Sequence, residues 1–274
     1  MATCSMISAL VTSPTPRRTT WSLAMEAANR ERVNRELEIA LEVQERLFPQ
    51  KFPPIPGLDC AGYCRPARGV GGDYYDFLHL ADGRLGIAIG DVSGKGIAAA
   101  LLMASLQASL RGQTMAGIHD LSVLMMNVNR LVYEASTSNR YATFFYGEYD
   151  LTSRVLTYVN GGHNAPVVLR GDEVLHLETG GPVVGLLPGA VYVQGSVQLQ
   201  PGDIFIGYTD GISEAPNEAD EEWEEDRFLV AAREASNEDA ASMIQSIFRR
   251  ADAFTGAAKQ FDDMTLLIVK LLRT

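Results

Sequence analysis

Past Gly57 the chain is a succession of short apolar runs: LDCAGYC, YYDFLHL, RLGIAIGDV, YATFFYGEYD, RVLTYVN, APVVLR, VYVQGSVQL, DIFIGYTD and MTLLIVKLL. They are rich in β-branched and aromatic residues and are bounded by Gly, Asp or Asn, so each reads as a β-strand. ADGR and LTSR supply hairpin-like turns. Helical patterns interrupt the series in pairs: Ile97 to Arg111 and Leu121 to Ala135, then two segments between Arg227 and Phe254. A parallel sheet needs a crossover after each strand. Strands in runs separated by helix pairs instead predict an α+β fold with antiparallel sheets.

The segment before Gly57 has a different character. From about Trp21 to Phe48 it reads as one helix, with Val33, Leu37, Ala40, Gln44 and Leu47 on one stripe between charged neighbours. That spacing fits the seam of a short coiled coil joining two chains, and equally a helix packed on its own domain. PQKFPPIPG breaks the helix and marks a boundary near Pro49 to Gly57. The expected organisation is a disordered tail over 1–20, a helical linker over 21–56 and a globular domain over 57–274.

The formal net charge of −11 argues against nucleic acid as a partner, because phosphate backbones need a basic face. No apolar run is long enough to span a bilayer. Cys4, Cys60 and Cys64 cannot all pair, and no further zinc ligands lie near Cys60 and Cys64. A reduced compartment, the cytoplasm, follows as the expectation.

GDVSGKG, Gly90 to Gly96, imitates a phosphate-binding loop but fails its rule. Three residues rather than four separate Gly90 from Gly94, and Gly96 stands where a hydroxyl belongs. The informative residue there is Asp91, which ends a strand-like run. Asp73, Asp210 and the pair Asp262 and Asp263 occupy similar places, each where an apolar run meets a turn. Strand ends from distant parts of a chain can converge. Converging carboxylates stay ionised only with positive charge among them, and oxygen ligands favour hard divalent ions such as Mg²⁺ or Mn²⁺.

VGGDYYDF, IGDVSGKGIAAALLMASLQASLR, NGGHNAP, GGPVVGLLP, YTDGISEA and DDMTLLIV follow one another in the order and spacing of the SpoIIE/RsbU branch of the metal-dependent (PPM, type 2C) protein phosphatases. The resemblance runs from about Leu58 to Lys270. It implies an α-β-β-α sandwich with two metal ions, Mn²⁺ or Mg²⁺, at one edge. It implies hydrolysis of phosphoserine or phosphothreonine on a partner protein by a hydroxide bridging the ions. For this branch the typical partner is a STAS-type anti-sigma-factor antagonist. Asp73 resembles the ligand to one metal, Asp91 the bridging ligand, Val92 a backbone-carbonyl ligand and Asp210 a ligand to the second metal. The fourth ligand corresponds to Asp262, with its neighbour Asp263 the alternative. Arg68 stands where related enzymes grip the phosphate, and an ordinary surface arginine is its other reading.

Three features depart from the pattern or stay open. Ser93 occupies the place of a histidine that serves as acid in eukaryotic relatives, and a hydroxyl is a very weak acid. Glu224 stands where the family usually has glycine. Lys95 between Gly94 and Gly96 reads as part of a turn that starts a helix, or as an attractor of phosphate. His163 in the Gly-Asn turn reads as a hydrogen-bonding strut. A protein-binding module with the phosphatase fold but weak catalysis is the rival reading.

Overall fold

The computed structural model describes residues 20–50, 54–67, 69–80, 83–136 and 140–273. The tail over 1–19, with Cys4, and the proposed phosphate-gripping Arg68 lie outside the described residues. In chain order the elements are α1 (Thr20–Glu45), β1 (Leu58–Arg65), β2 (Tyr74–His79), β3 (Arg84–Val92), α2 (Ile97–Met115), α3 (Leu121–Ala135), β4 (Ala142–Asp150), β5 (Val155–Gly161), β6 (Val167–Arg170), β7 (Glu173–His176), β8 (Gly180–Gly181), β9 (Gly195–Gln198), β10 (Ile204–Tyr208), α4 (Asp210–Ser213), α5 (Glu224–Glu234), α6 (Ala240–Thr255) and β11 (Met264–Leu271).

The strands form two sheets. One runs β1-β11-β10-β6-β7; the other runs β2-β3-β4-β5-β8, with β9 also pairing β5. Every pairing is antiparallel except the short β5–β8 contact. Successive side chains on a strand point to opposite faces, and here both faces are covered. Tyr75, Phe77, Ile87, Ile89 and Phe145 meet Phe205, Leu267 and Val269 between the sheets. The alternate residues Tyr74, Ala88, Phe144 and Tyr146 pack against Met103, Leu106, Leu124 and Val128 of α2 and α3. On the other side Ile206, Tyr208, Leu266 and Ile268 pack against Phe228, Met243 and Ile247 of α5 and α6. The layers are therefore helix, sheet, sheet and helix, as expected. Double coverage explains why the strand sequences are nearly continuous apolar runs.

Two buried polar ties orient the elements nearest the sheet edge. Arg111 of α2 grips Asp76 of β2 through Nε (2.9 Å) and Nη2 (3.1 Å), while the Tyr74 hydroxyl donates to the same carboxylate at 2.8 Å. The other tie involves α1. Gln44 is buried, its Nε2 donating to the Gly71 carbonyl at 2.7 Å and its Oε1 accepting from the Gly71 N–H at 3.0 Å. The compact unit begins at Ala40 rather than at Gly57. The C-terminal part of the α1 stripe thus packs within the globular unit: Leu47 lies against the α2/α3 core, and its carbonyl accepts from Gln107 Nε2 at 2.6 Å. Val33, higher on the stripe, is 42% exposed.

Candidate metal centre

The aspartates singled out from the sequence come to one edge of the sandwich from both sheets. Asp73 immediately precedes β2 and Asp91 lies near the end of β3, where Tyr74 faces Gly90 across the ladder. Asp210 follows β10, and Asp262 and Asp263 lead into β11, its neighbour in the other sheet. The backbones meet closely. The Val92 N–H donates to the Gly72 carbonyl at 3.3 Å. A Cβ on Gly72 would stand 2.8 Å from the Val92 carbonyl oxygen and 3.2 Å from Asp91 Oδ1, and one on Gly211 would collide with the Asp263 carbonyl. Glycine at 72 and 211 is what lets the two strand pairs close on a common cradle.

Each carboxylate has its own surroundings. Asp73 is buried and accepts hydrogen bonds from the Thr209 hydroxyl at 2.8 Å and the Thr265 hydroxyl at 2.5 Å. Burial, and then the charge of Asp91, raise its pKa well above the usual carboxylate range, while the two threonines oppose the rise. Burial pushes Asp91 up to about 7, helped by the charges of Asp210, Asp262 and Asp263. Asp210 is also raised, by burial and then by Asp262. The mutual repulsion is the electrostatic signature of a group that wants a cation in its midst.

Asp263 and Asp262 part company here. Asp263 is buried, and its carboxylate accepts from the Ala67 N–H at 2.8 Å and the Gly72 N–H at 2.7 Å, which fastens the loop before Asp73. Asp262 is half-buried. Its Oδ1 accepts from the Asp263 N–H at 2.9 Å, and its Oδ2 pairs with Lys95 Nζ at 2.7 Å. Among the described residues, no group of three or more His, Cys, Asp or Glu side chains is arranged to hold an ion. Asp73, Asp262 and Asp263 are each engaged by protein donors instead. The donor set, all oxygen with a backbone carbonyl in the cradle, nonetheless fits a hard divalent cation.

Several neighbours acquire definite roles. Thr209 and Thr265 were not visible as site residues in the sequence, since a threonine in a strand is ordinary; only the TDG and DMT contexts mark them. The Ser93 N–H donates to the Tyr141 carbonyl at 2.8 Å and its hydroxyl oxygen accepts from the Tyr141 N–H at 3.0 Å, so it fastens the loop after Asp91 to the segment before β4. His163 is buried, with burial lowering its pKa to about 4. Its Nδ1 meets the Thr143 hydroxyl at 2.9 Å, and Thr143 is the ladder partner of Asp91. This is the strut expected of it. Glu224 has φ 62, the left-handed conformation that glycine adopts most readily. Cys60 and Cys64 are free and packed against the core between the sheets; burial pushes Cys60 up to about 12 and Cys64 well above the usual thiol range. Both are poor nucleophiles. Beside the aspartates opens a cleft of about 380 Å³ lined by Gly211, Glu214, Asp252, Lys259, Asp262 and Met264 among others. Among the described residues no helix is long and apolar enough to cross a membrane.

Known proteins are similar to this chain. Protein IcfG of Synechocystis sp. is 31% identical over 86% of this chain and 42% of its own length. Phosphoserine phosphatase RsbU of Bacillus subtilis is 33% identical over 68% of this chain and 56% of its own length. The chain thus spans about half the length of these curated relatives. The solved SiaA-PP2C domain of Pseudomonas aeruginosa has the same fold, with a TM-score of 0.79 at 22% identity, covering 89% of this chain and 99% of that one. The family model described as Stage II sporulation protein E (SpoIIE) matches residues 81–272. That segment includes Asp91, Asp210, Asp262 and Asp263, and the chain belongs to the SpoIIE family.

Proposed function

We propose that the protein is a metal-dependent phosphatase that hydrolyses phosphoserine or phosphothreonine on a partner protein. The observation that carries the reading is the convergence of Asp73, Asp91, Asp210 and Asp262 from two sheets onto one edge, where burial and mutual charge raise the pKa of Asp73, Asp91 and Asp210. These four side chains and the Val92 carbonyl would hold two ions, Mn²⁺ or Mg²⁺. When bound, such ions supply Lewis-acid charge for a phosphoryl group and activate water at neutral pH. That a relative 33% identical over 68% of this chain is named a phosphoserine phosphatase supports the assignment.

The remaining work falls to this chain's own residues. Thr209 and Thr265 hold the Asp73 carboxylate in one orientation, and Asp263 holds the preceding loop through Ala67 and Gly72. These bonds support Asp262 as the fourth ligand, with Asp263, its alternative, in a positioning role. The Ser93 hydroxyl, which accepts from the Tyr141 N–H, is too weak an acid to protonate a leaving alkoxide effectively. Good leaving groups should then react faster than poor ones. A net charge of −11 gives no long-range attraction for an acidic phosphoprotein. Selectivity falls to contact surface, and the cleft beside Asp262 offers it.

The partner that fits the family pattern is a folded STAS-type anti-sigma-factor antagonist in the cytoplasm, and the free part of the α1 stripe would pair two chains. Three substrates under the same Mn²⁺ test the substrate assignment: p-nitrophenyl phosphate, a phosphoserine peptide and a phosphorylated STAS protein. The aryl ester should exceed an alkyl phosphate in rate, and the folded protein should exceed the peptide in kcat/KM. Equal kcat/KM for peptide and folded protein would remove docking as the source of specificity.

A further inference from the structure

Among the described residues, Lys95 forms an ion pair with the aspartate cluster, in a position to compete with a metal. Its Nζ lies 2.7 Å from Asp262 Oδ2 and donates to the Phe261 carbonyl at 2.6 Å. The other Asp262 oxygen is occupied by the Asp263 N–H. Both oxygens of the carboxylate are thus spoken for, one by backbone and one by ammonium. The charge of Lys95 also reaches Asp210, where it opposes the rise in pKa.

The attachment of Lys95 allows it to leave. Gly94 and Gly96 on either side have φ 97 and 79, conformations that side chains rarely adopt. Gly96 is the N-cap of α2 and, having no side chain, gives that end of the helix no capping bond of its own. The side chains of Lys95 and Asp262 are 37% and 42% exposed, so water and ions can exchange between them. The contact joins the loop after Asp91, in one sheet, to the strand end carrying Asp262, in the other.

The geometry points to Lys95 as a built-in occupant of the metal site: its ammonium holds the Asp262 oxygen that a divalent ion needs, and must be displaced for that ion to bind. A divalent ion and an ammonium cannot both contact one carboxylate oxygen without strong repulsion. Metal binding therefore breaks the link between the α2 N-terminal loop and the β11 strand end. Lys95 is a positioning residue that sets metal affinity, and the idea rests on the metal-dependent reading above.

The test is Mn²⁺ binding, followed by titration calorimetry and by the electron paramagnetic resonance signal of the free ion, with no substrate present. Lys95→Gln should bind Mn²⁺ about fivefold more tightly than the native protein, the scale of a partly exposed ion pair. Lys259→Gln removes the same charge from the neighbouring cleft without touching Asp262, and should leave the affinity unchanged within about twofold. An unchanged affinity in Lys95→Gln, or an equal gain in Lys259→Gln, overturns the displacement while leaving the metal-dependent reading intact. Absence of binding by both the native protein and Lys95→Gln removes the metal-dependent reading, and the displacement with it.

Discussion

Replacing Asp91 with asparagine should make the metal-free protein more stable at neutral pH. Burial and neighbouring carboxylates raise Asp91 from an ordinary 3.8 to about 7. A raised pKa means the folded protein holds the proton more tightly than the unfolded chain. Below about pH 4 both states are protonated and the group costs nothing. Between about pH 4 and 7 the unfolded chain gains from ionising while the folded one does not, so stability falls, and above about 7 the full penalty remains. At 1.36 kcal/mol for each tenfold difference in proton affinity, the gap from 3.8 to about 7 corresponds to at most about 4 kcal/mol. Asparagine keeps the shape and carries no charge. In urea denaturation with a chelator present, Asp91→Asn should exceed the native protein by about 2–4 kcal/mol at pH 8, and by less than about 1 kcal/mol at pH 4. Equal stability of the two proteins at pH 8 would refute the view that this edge is an electrostatically strained cation site.

Gln44→Ala would leave both the N–H and the C=O of buried Gly71 without partners, at a cost of about 2–4 kcal/mol in urea denaturation; a loss below about 0.5 kcal/mol would mean the α1 end is not fastened there. Glu224→Gly should raise stability by about 1 kcal/mol in the same assay, because φ 62 strains any residue with a Cβ; no gain would count against the strain. Leu37→Glu should convert a dimer to a monomer in light scattering if the free part of the stripe pairs two chains, and a native protein that is monomeric at high concentration would exclude that pairing.

Much of the fold was legible because the sheets are covered on both faces and the turns between strands are chemically marked. RLGIAIGDV coincides with β3, and Leu121 to Ala135 coincides with α3, whose start is fixed by Asp120 accepting from the N–H groups of Ser122 and Val123. VYVQGSVQL forms a strand only over Gly195–Gln198: before it, Val191 and Val193 are 70% and 59% exposed, and the Val193 N–H makes a single bond to the Gly180 carbonyl at 3.1 Å rather than a ladder. β7 was invisible because EVLH has polar, exposed ends around two half-buried apolar residues, unlike the buried VVLR of β6, and β8 because two glycines carry no pattern. At the site the aspartates were legible from their places at strand ends. The different contacts of Asp262 and Asp263 were not, because adjacent residues differ only in what they meet, and the partners Ala67, Gly72 and Lys95 are remote in sequence. Lys95 was more than the turn residue its flanking glycines implied, since its contact is made across the two sheets. The stripe on α1 left its packing partner open, and the burial of Gln44 shows that its C-terminal end packs within the globular unit.

The most direct test of the central claim is phosphate release from a phosphoserine protein substrate with Mn²⁺, with excess chelator, and with Asp91→Asn at saturating Mn²⁺. The account predicts release by the native protein in Mn²⁺, none in chelator, and a loss of roughly a hundredfold or more in Asp91→Asn, the scale of removing one group that stabilises charge in the transition state. Hydrolysis that persists in chelator, or full activity of Asp91→Asn, would contradict it.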